Sequence, residues 1–287
     1  MKALRIVGII IFVLILLLCA VLFVLRFRAT EEMDRAALEA ASATPVPTAV
    51  PVTPQPTETP APTEAPTPTP EPTPAVDPDS PEGRALALGL PKPPEIDIES
   101  WEFILANGEN SIDEYTPPEI QYLESQPLDS RIIEPMQAMA SDARAQGLSV
   151  YLSSGYRSYS EQAANFIRVC QNNGVSDGKN ADGFYITMPA GCSEHQTGLA
   201  CDITDIYYPL KDKSIANTAT YKYMSQHCQE FGFIVRFPED KEAVTGVMFE
   251  PFHYRYVGIE AAKYIMENGI CLEEFVSLYR DINPVEK

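Results

Sequence analysis

The sequence predicts an α+β domain that follows an apolar N-terminal segment and a proline-rich linker. An unbroken apolar run covers residues 6–25, and 17 of the 26 prolines lie between Pro45 and Pro94. The remaining residues, about 97–287, combine helical and strand-like patterns. Because these patterns are mixed without the regular spacing of strand–helix–strand units, they predict the α+β class.

The N-terminal segment, residues 1–28, contains a run long enough to span a membrane as a helix. About 20 apolar residues suffice to cross a bilayer. Basic residues flank the run on both sides, so the local charge orients it only weakly. A cleaved signal peptide is the alternative, but the run is longer than usual for that role and no small-residue cleavage site follows it. We therefore expect an uncleaved, single-pass anchor with the rest of the chain outside.

Residues 29–96 are predicted to be a disordered linker. Proline alternates there with Thr, Ala, Val and Glu, a composition that cannot bury a core and favours a semi-rigid, extended spacer. At about 3.1 Å per residue, such a spacer could reach on the order of 100 Å. Such a spacer would let a tethered domain reach targets at a distance from the membrane, although a non-specific spacer or a glycosylated stalk is equally compatible.

The domain predicted over residues 97–287 is long enough to bury a sizeable core. Glycine marks the helix ends, serine or threonine marks the starts, and short apolar runs mark strands. In the first half these signals predict a helix over 133–146 ended by Gly147, a strand over 148–153, a helix from Ser158 to about Gln171, and a loop over 174–191. In the second half they predict a strand over 199–204, a helix over 218–231, a strand over 233–237, strands around 247–249 and 253–257, and two C-terminal helices.

The charge balance excludes one broad class of function. The chain carries a net charge of −19, whereas nucleic-acid binding requires clustered Lys and Arg on the phosphates. No glycine-rich phosphate-binding loop is present, so we expect no nucleic-acid or nucleotide partner. Acidity also gives no reason to expect attraction to an anionic membrane surface.

Two of the three histidines lie in polar, tightly patterned segments, Ser193–Asp202 and Glu250–Tyr256. Imidazole is the commonest neutral metal ligand, and a carboxylate often accompanies it. His195, Asp202 and His253 would therefore supply three ligands of a tetrahedral zinc and leave one position open for water. This pattern predicts a catalytic zinc hydrolase.

The spacing of these residues supports the interpretation. Gly198 permits a sharp change of direction between His195 and the following apolar run, and strand alternation makes Asp202 point away from its sequence neighbours. Glu250, three residues before His253, is then placed to act as the base. The alternative is that each histidine is a hydrogen-bonded structural residue, but the combination of ligand types in two such segments favours a metal site.

Four stretches resemble the VanY-type D-alanyl-D-alanine carboxypeptidases, the zinc peptidases of family M15, subfamily B. They are Trp101–Asn107, Ser154–Tyr159 together with Gln162, Ser193–Asp202, and Glu250–Gly258. Together they cover roughly residues 101–269, and the pattern Ser-x-His-x-x-Gly-x-Ala-x-Asp within them is highly specific. The resemblance implies an M15/hedgehog-like peptidase fold, a small central antiparallel sheet flanked by helices. It also implies that residues 97–287 form a zinc carboxypeptidase domain, with Zn2+ held by His195, Asp202 and His253 and with Glu250 as the general base.

The resemblance further assigns the substrate-binding residues. It implies that Arg157, Gln162 and Ser193 hold the terminal carboxylate of the substrate and the developing oxyanion. The planar donor fork of Arg157 matches a carboxylate, although an ordinary surface ion pair is the alternative for this residue. Phe252 departs from the family, which usually has Trp at this position, but Phe keeps the aromatic wall.

The implied function is removal of the C-terminal D-alanine from peptidoglycan stem peptides. Related sequences include L,D-carboxypeptidases that act on tetrapeptide stems, and no residue decides between the two. A non-catalytic wall-binding module with a structural zinc is a third possibility, but Glu250 argues against it. We expect a monomer in the bacterial cell membrane, anchored by a single N-terminal helix with its catalytic domain extracellular.

Cysteine use leaves two possibilities open. Five cysteines lie outside the apolar run, and in an extracellular domain some could pair as disulfides. Cys201 with Cys228 and Cys170 with Cys192 are the candidate pairs. Buried free thiols are the alternative, since small apolar cysteines pack well in a core.

Overall fold

The computed structural model describes residues 76–208 and 210–283. The six strands of this part are β1 Ile120–Leu123, β2 Gln126–Asp129, β3 Val150–Ser154, β4 Ala200–Asp205, β5 Phe233–Val235 and β6 His253–Tyr256. The α-helices of this part are α1 Pro81–Ala87, α2 Ile133–Ala145, α3 Tyr159–Asn173, α4 Ala219–His227, α5 Glu242–Thr245, α6 Ile259–Asn268 and α7 Leu272–Tyr279. The predicted α+β class is confirmed. The predicted anchor and the linker up to residue 75 lie outside the described residues, and none of the helices within those residues is long and apolar enough to span a bilayer.

A four-stranded antiparallel sheet, in the order β3-β4-β6-β5, forms the centre of the fold. It matches the small antiparallel sheet that the family resemblance implies. The central strand β4 alternates as its sequence requires: Cys201 and Ile203 enter the main core, while Asp202 lies on the opposite face with the buried polar residues.

Two hydrophobic clusters pack on the sheet. The first joins α2 and α4 to β3, β4 and β5 through residues such as Met139, Leu152 and Met224. The second contains α6, α7 and the N-terminal segment with α1, and it includes Ala85 and Phe275. Successive residues of β5 belong alternately to the two clusters, so this strand separates them.

The helices with clear capping signals begin and end close to their predicted bounds. Helix α3 begins after Ser158, whose hydroxyl accepts from the amide of Glu161, and the Glu161 carboxylate returns to the Ser158 amide in a capping box. Helix α4 is followed by a 3-10 turn over Cys228–Phe231, so the predicted helix over 218–231 is present with a tighter last turn.

The strand predicted around Val247–Phe249 is wrong. Val247 makes only an isolated parallel bridge to Tyr185, in the loop that precedes the metal motif. Its apolar side chain packs in a small separate cluster with Met188 and Phe237. Val247 is therefore buried by loop packing rather than by a sheet, whereas Met248 and Phe249 are only half-buried.

The packed part of the chain starts before the boundary predicted at residue 97. Ser80 caps α1, and Pro81 occupies the first turn, where its missing N–H costs nothing. Ala85 is fully buried, and Leu90 and Ile96 pack against the same cluster. The proline content of this segment favours an extended path, but between the prolines there are enough apolar side chains to attach it to the domain.

The five cysteines of the described residues are buried free thiols. This outcome agrees with the second of the two possibilities considered for them. Burial raises the pKa of the Cys228 thiol to about 12, so this thiol is protonated at neutral pH and behaves as a small apolar side chain.

Candidate metal site and active-site pocket

His195, Asp202 and His253 meet on one face of the central sheet. His195 lies in the 3-10 turn Glu194–Thr197, and Asp202 on β4 pairs directly with His253 on β6. The Oδ1 atom of Asp202 is 3.3 Å from His195 Nε2 and 2.9 Å from His253 Nδ1. One ligand atom from each of the three residues lies within 4.8 Å of the others, so a single ion could contact all three.

Gly198 makes this meeting possible. It ends the 3-10 turn with a positive φ of 71°, which a residue with a side chain adopts only at a cost. A Cβ at this position would lie 2.9 Å from the backbone nitrogen of Asp129, whose amide donates to the carbonyl of Gly198. Both the backbone conformation and the close approach therefore require glycine between His195 and β4.

Hydrogen bonds fix the orientation of both imidazole rings. His195 Nδ1 lies 2.7 Å from the carbonyl oxygen of Gly155; because a carbonyl only accepts, Nδ1 carries the proton and Nε2 presents its lone pair toward Asp202. His253 has the opposite arrangement, with Nε2 at 3.4 Å from Glu194 Oε2 and Nδ1 toward Asp202. Two oriented imidazoles and one carboxylate form a donor set that fits zinc.

The electrostatics of the two histidines differ. Burial, together with the nearby charge of Arg157, lowers the pKa of His195 to about 4, so this ring is neutral at pH 7. Burial also opposes the charged form of His253, but hydrogen bonds to Asp202 and Glu194 outweigh it and raise the pKa to about 9. Because a metal ligand must be deprotonated, binding at this site would release a proton from His253.

Asp202 divides its two oxygens between different partners. Oδ1 faces the histidines, whereas Oδ2 accepts from the ammonium of Lys211 at 2.7 Å. Burial would raise the pKa of Asp202, but His195 and Lys211 hold it well below its usual range. The carboxylate is therefore ionised and has one oxygen directed at the site.

Glu250 lies beside the three candidate ligands. Its Oε2 atom is 3.8 Å from His253 Nδ1, and its backbone amide donates to the carbonyl of Phe237. Burial raises the pKa of Glu250 to about 7, although His253 opposes the shift. A carboxylate with a pKa near the ambient pH can both accept and return a proton.

Arg157 occupies the loop between β3 and α3, close to the histidines. Its backbone amide donates to the carbonyl of His195, its Nε donates to Gln162, and its Nη1 donates to Ser154. These side-chain partners are neutral, so in the part of the chain that the structure describes no ion pair neutralises the guanidinium. Burial disfavours the charged guanidinium and lowers the pKa of Arg157. Arginine nevertheless stays charged at neutral pH, so an anion bound beside it would be favourable.

These side chains share one pocket of about 260 Å³. Its wall contains Ser193 and Arg157 in addition to the three candidate ligands and Glu250, together with the aromatic rings of Phe237 and Phe252. Gln162, in contrast, is buried and holds Arg157 while its own amide donates to the carbonyl of Met188. The structure thus brings six of the seven predicted site residues to the pocket wall and Gln162 to a supporting position behind it.

Two features of the site were not predicted from the sequence. One is Lys211 on Asp202, and the other is a buried cluster of charged residues behind His253, made of Glu194, Arg236, Arg255 and Glu273. The cluster joins residues up to 79 positions apart in the sequence, Glu194 to Glu273, so no local sequence pattern predicts it. The only signal was Glu194 itself, an acidic residue beside a candidate ligand.

Comparison with known proteins gives consistent matches. A family model described as VanY, D-alanyl-D-alanine carboxypeptidase, matches residues 125–259, which include the three candidate ligands and Glu250. The chain is 34% identical over 211 residues to the D-alanyl-D-alanine carboxypeptidase of Enterococcus faecalis (strain ATCC 700802 / V583), covering 69% of this chain and 73% of that protein.

Two solved structures are also similar. A vancomycin-resistance D,D-pentapeptidase VanY mutant in complex with Zn(II) aligns with a TM-score of 0.52 at 34% identity, covering 62% of this chain and 99% of the other. The LdcB LD-carboxypeptidase aligns with a TM-score of 0.52 at 28% identity, covering 66% of this chain and 94% of the other.

Proposed function

Because the chain belongs to the VanY family of D-alanyl-D-alanine carboxypeptidases, we propose that it removes the C-terminal D-alanine from peptidoglycan stem peptides in a zinc-dependent reaction. One observation carries the proposal: the described residues bring three metal-ligating groups, a half-buried carboxylate and an arginine without an ion pair into one pocket. Each of these groups has a separate task in the hydrolysis of a C-terminal peptide bond.

His195, Asp202 and His253 are the proposed zinc ligands. Their donor atoms already converge, and both rings are oriented by hydrogen bonds on the side away from Asp202. When bound, zinc would lower the pKa of water and polarise the scissile carbonyl.

Glu250 is the proposed general base. It lies beside His253 in the pocket wall, within reach of a water molecule at the site. Its carboxylate would accept a proton from the attacking water and transfer it to the amine that leaves. Its burial supports this role, since a carboxyl group shielded from water holds a proton more readily than an exposed one.

Arg157 is the proposed anchor for the C-terminal carboxylate of the substrate. Its charge is not neutralised by an ion pair among the described residues, and Gln162 and Ser154 fix the plane of its guanidinium. A carboxylate bound there would leave only the last peptide bond near the candidate ligands, which explains exopeptidase action. Ser193 lines the same pocket and is the proposed donor to the oxyanion.

An L,D-carboxypeptidase acting on tetrapeptide stems is the second candidate, because the similar structures include an LD-carboxypeptidase. The deciding experiment incubates the purified chain with zinc and with pentapeptide or tetrapeptide muropeptides, and weighs the products. We expect loss of one D-alanine from the pentapeptide. Preferential cleavage of the tetrapeptide would support the L,D activity, and cleavage of neither would leave a wall-binding module as the remaining function.

We also propose that residues 6–25 anchor the enzyme in the bacterial membrane with the catalytic domain outside. The apolar length of this run supports the proposal, and stem peptides in the wall would then lie within reach of the linker. After cell fractionation, the full-length chain should be in the membrane fraction and accessible to added protease. Recovery of the uncleaved chain in the soluble fraction would contradict the anchor.

A further inference from the structure

Four charged side chains are buried directly behind His253. Arg236 and Arg255 are fully buried, and Glu194 and Glu273 are no more than 3% exposed. Arg236 donates from Nη1 and Nη2 to Glu273 at 2.8 and 2.6 Å and from Nε to Glu194 at 2.7 Å. We call these four residues the buried charge cluster.

The buried charge cluster is electrically neutral, but burying its charges costs free energy. Its two arginines and two glutamates sum to zero charge, and the geometry satisfies the donors of Arg255 with the backbone carbonyls of Glu102, Ile104 and Tyr256 as well. Even so, moving such charges out of water costs several kcal/mol per ion. Well-packed apolar residues in the same place often stabilise a fold as much as buried ion pairs do. Its position against a site residue therefore points to a role other than stability.

The two oxygens of Glu194 have different tasks. Oε1 accepts from both arginines, at 2.7 Å from Arg236 Nε and 2.7 Å from Arg255 Nη1. Oε2 faces Nε2 of His253 at 3.4 Å. The arginines thus hold the carboxylate in place through one oxygen and leave the other as an acceptor for the imidazole.

We propose that Glu194 is a positioning residue for His253, held in place by Arg236 and Arg255. With Nε2–H directed at Glu194, Nδ1 is the nitrogen that faces Asp202 and that would bind the ion after releasing its proton. Without this acceptor, the ring can rotate or change its tautomer and present the wrong nitrogen. The inference rests on the proposed function, because it assumes that His253 binds zinc.

The test compares three variants of the full-length chain. Glu194→Gln removes the charge of the acceptor, and Glu194→Asp keeps the charge but withdraws it by one methylene group. Glu273→Gln is the matched control, since it also removes a buried carboxylate from Arg236 but does not contact His253. Zinc affinity is measured by competition with a colorimetric chelator, and the exchange of the His253 Nε2 proton by NMR, where the three histidines of the chain are readily distinguished.

Both Glu194 variants should bind zinc about 10- to 100-fold more weakly than the wild type, and their Nε2 proton should exchange faster. Glu273→Gln should keep the affinity and the slow exchange even if it unfolds more easily. If Glu194→Gln fails to fold, the charge-conserving Glu194→Asp decides. Unchanged zinc affinity in the Glu194 variants that fold, or an equal loss in Glu273→Gln, would overturn the inference. A wild-type chain that binds no zinc would instead overturn the proposed function.

Discussion

The histidines of the chain differ in their surroundings, and the difference can be tested directly. His253 is buried against Asp202, whereas the side chain of His227 is 37% exposed, pairs with Glu230 and stacks on Tyr223. His253→Ala should therefore lose most of the one zinc expected per chain, and His227→Ala should keep it. The measurement is zinc content by atomic emission after gel filtration. Equal loss from the two variants would contradict the ligand assignment.

Glu250 provides a second test at the level of one side chain. Glu250→Gln preserves shape but cannot accept a proton, so the turnover rate should fall by roughly 10²- to 10⁴-fold. Zinc content should remain near that of the wild type, because Glu250 is not one of the proposed ligands. Activity is followed by D-alanine release from a pentapeptide. A variant that retains most of its turnover would show that another residue is the base.

The role proposed for Arg157 can be tested with substrates that differ only at the C-terminus. A charged hydrogen bond contributes about 1.5–3 kcal/mol, so amidation of the substrate should reduce kcat/KM by roughly 10- to 100-fold in the wild type. Arg157→Ala should scarcely distinguish the free-acid peptide from the amidated one. Arg157→Lys should also be impaired, because an ammonium lacks the planar fork. The same preference in wild type and Arg157→Ala would mean that the carboxylate is held elsewhere.

The site residues that could be predicted from the sequence lie close to one another along the chain. His195 and Asp202 lie seven positions apart around one glycine, and Glu250 and His253 three positions apart, so a short pattern contains them. The link from Glu194 to Arg236 has no such pattern. It depends on how β5 and its continuation pass behind the site, and pairing of that kind is decided by tertiary packing.

At the scale of secondary-structure elements, the turn between His195 and β4 is the most constrained connection. Gly198 and Gly174 both have a positive φ, 71° and 68°, but only Gly198 has atoms in the space of a Cβ. Gly174→Ala should lower the free energy of unfolding by about 1–2 kcal/mol, the cost of a left-handed residue. Gly198→Ala should cost more and should also weaken zinc binding, because Asp129 blocks the added methyl group. Urea denaturation of both variants measures the difference, and equal costs would show that crowding at Gly198 is unimportant.

Elements with a capping signal were predictable, and elements that depend on distant partners were not. Ser158 and Glu161 mark the start of α3 within four residues of sequence. The β1–β2 hairpin has strands of only four residues, and its turn places Glu124 at a positive φ of 56°. Such a turn usually contains Asn or Gly, so no local pattern predicted the hairpin. Packing of Leu123 and Leu128 on the main core specifies it instead.

At the scale of the whole molecule, the described residues build two cores that meet at β5, and the second depends on a segment that composition alone assigns to the linker. The prolines around α1 favour an extended chain, yet their carbonyl oxygens are used as acceptors. Tyr264 donates to the carbonyl of Pro91 at 2.7 Å, and Tyr279 donates to that of Pro94 at 2.6 Å. Composition averaged over fifty residues cannot reveal contacts made by individual positions.

This arrangement predicts that residues 77–96 stabilise the catalytic domain. A chain that begins at residue 97 exposes the surface that Ala85 covers and leaves the hydroxyls of Tyr264 and Tyr279 without their acceptors. Each of these hydrogen bonds contributes about 0.5–1.5 kcal/mol net, and the apolar contacts of Ala85 are lost as well, so the free energy of unfolding should be at least about 2 kcal/mol lower than in a chain that begins at residue 76. Lys92→Ala in the longer chain is the control, since its partners Glu82 and Glu95 are exposed and such ion pairs contribute little. Equal urea midpoints for the two chains would show that the segment is a linker up to residue 96, whereas a loss confined to the shorter chain would make it part of the folded enzyme.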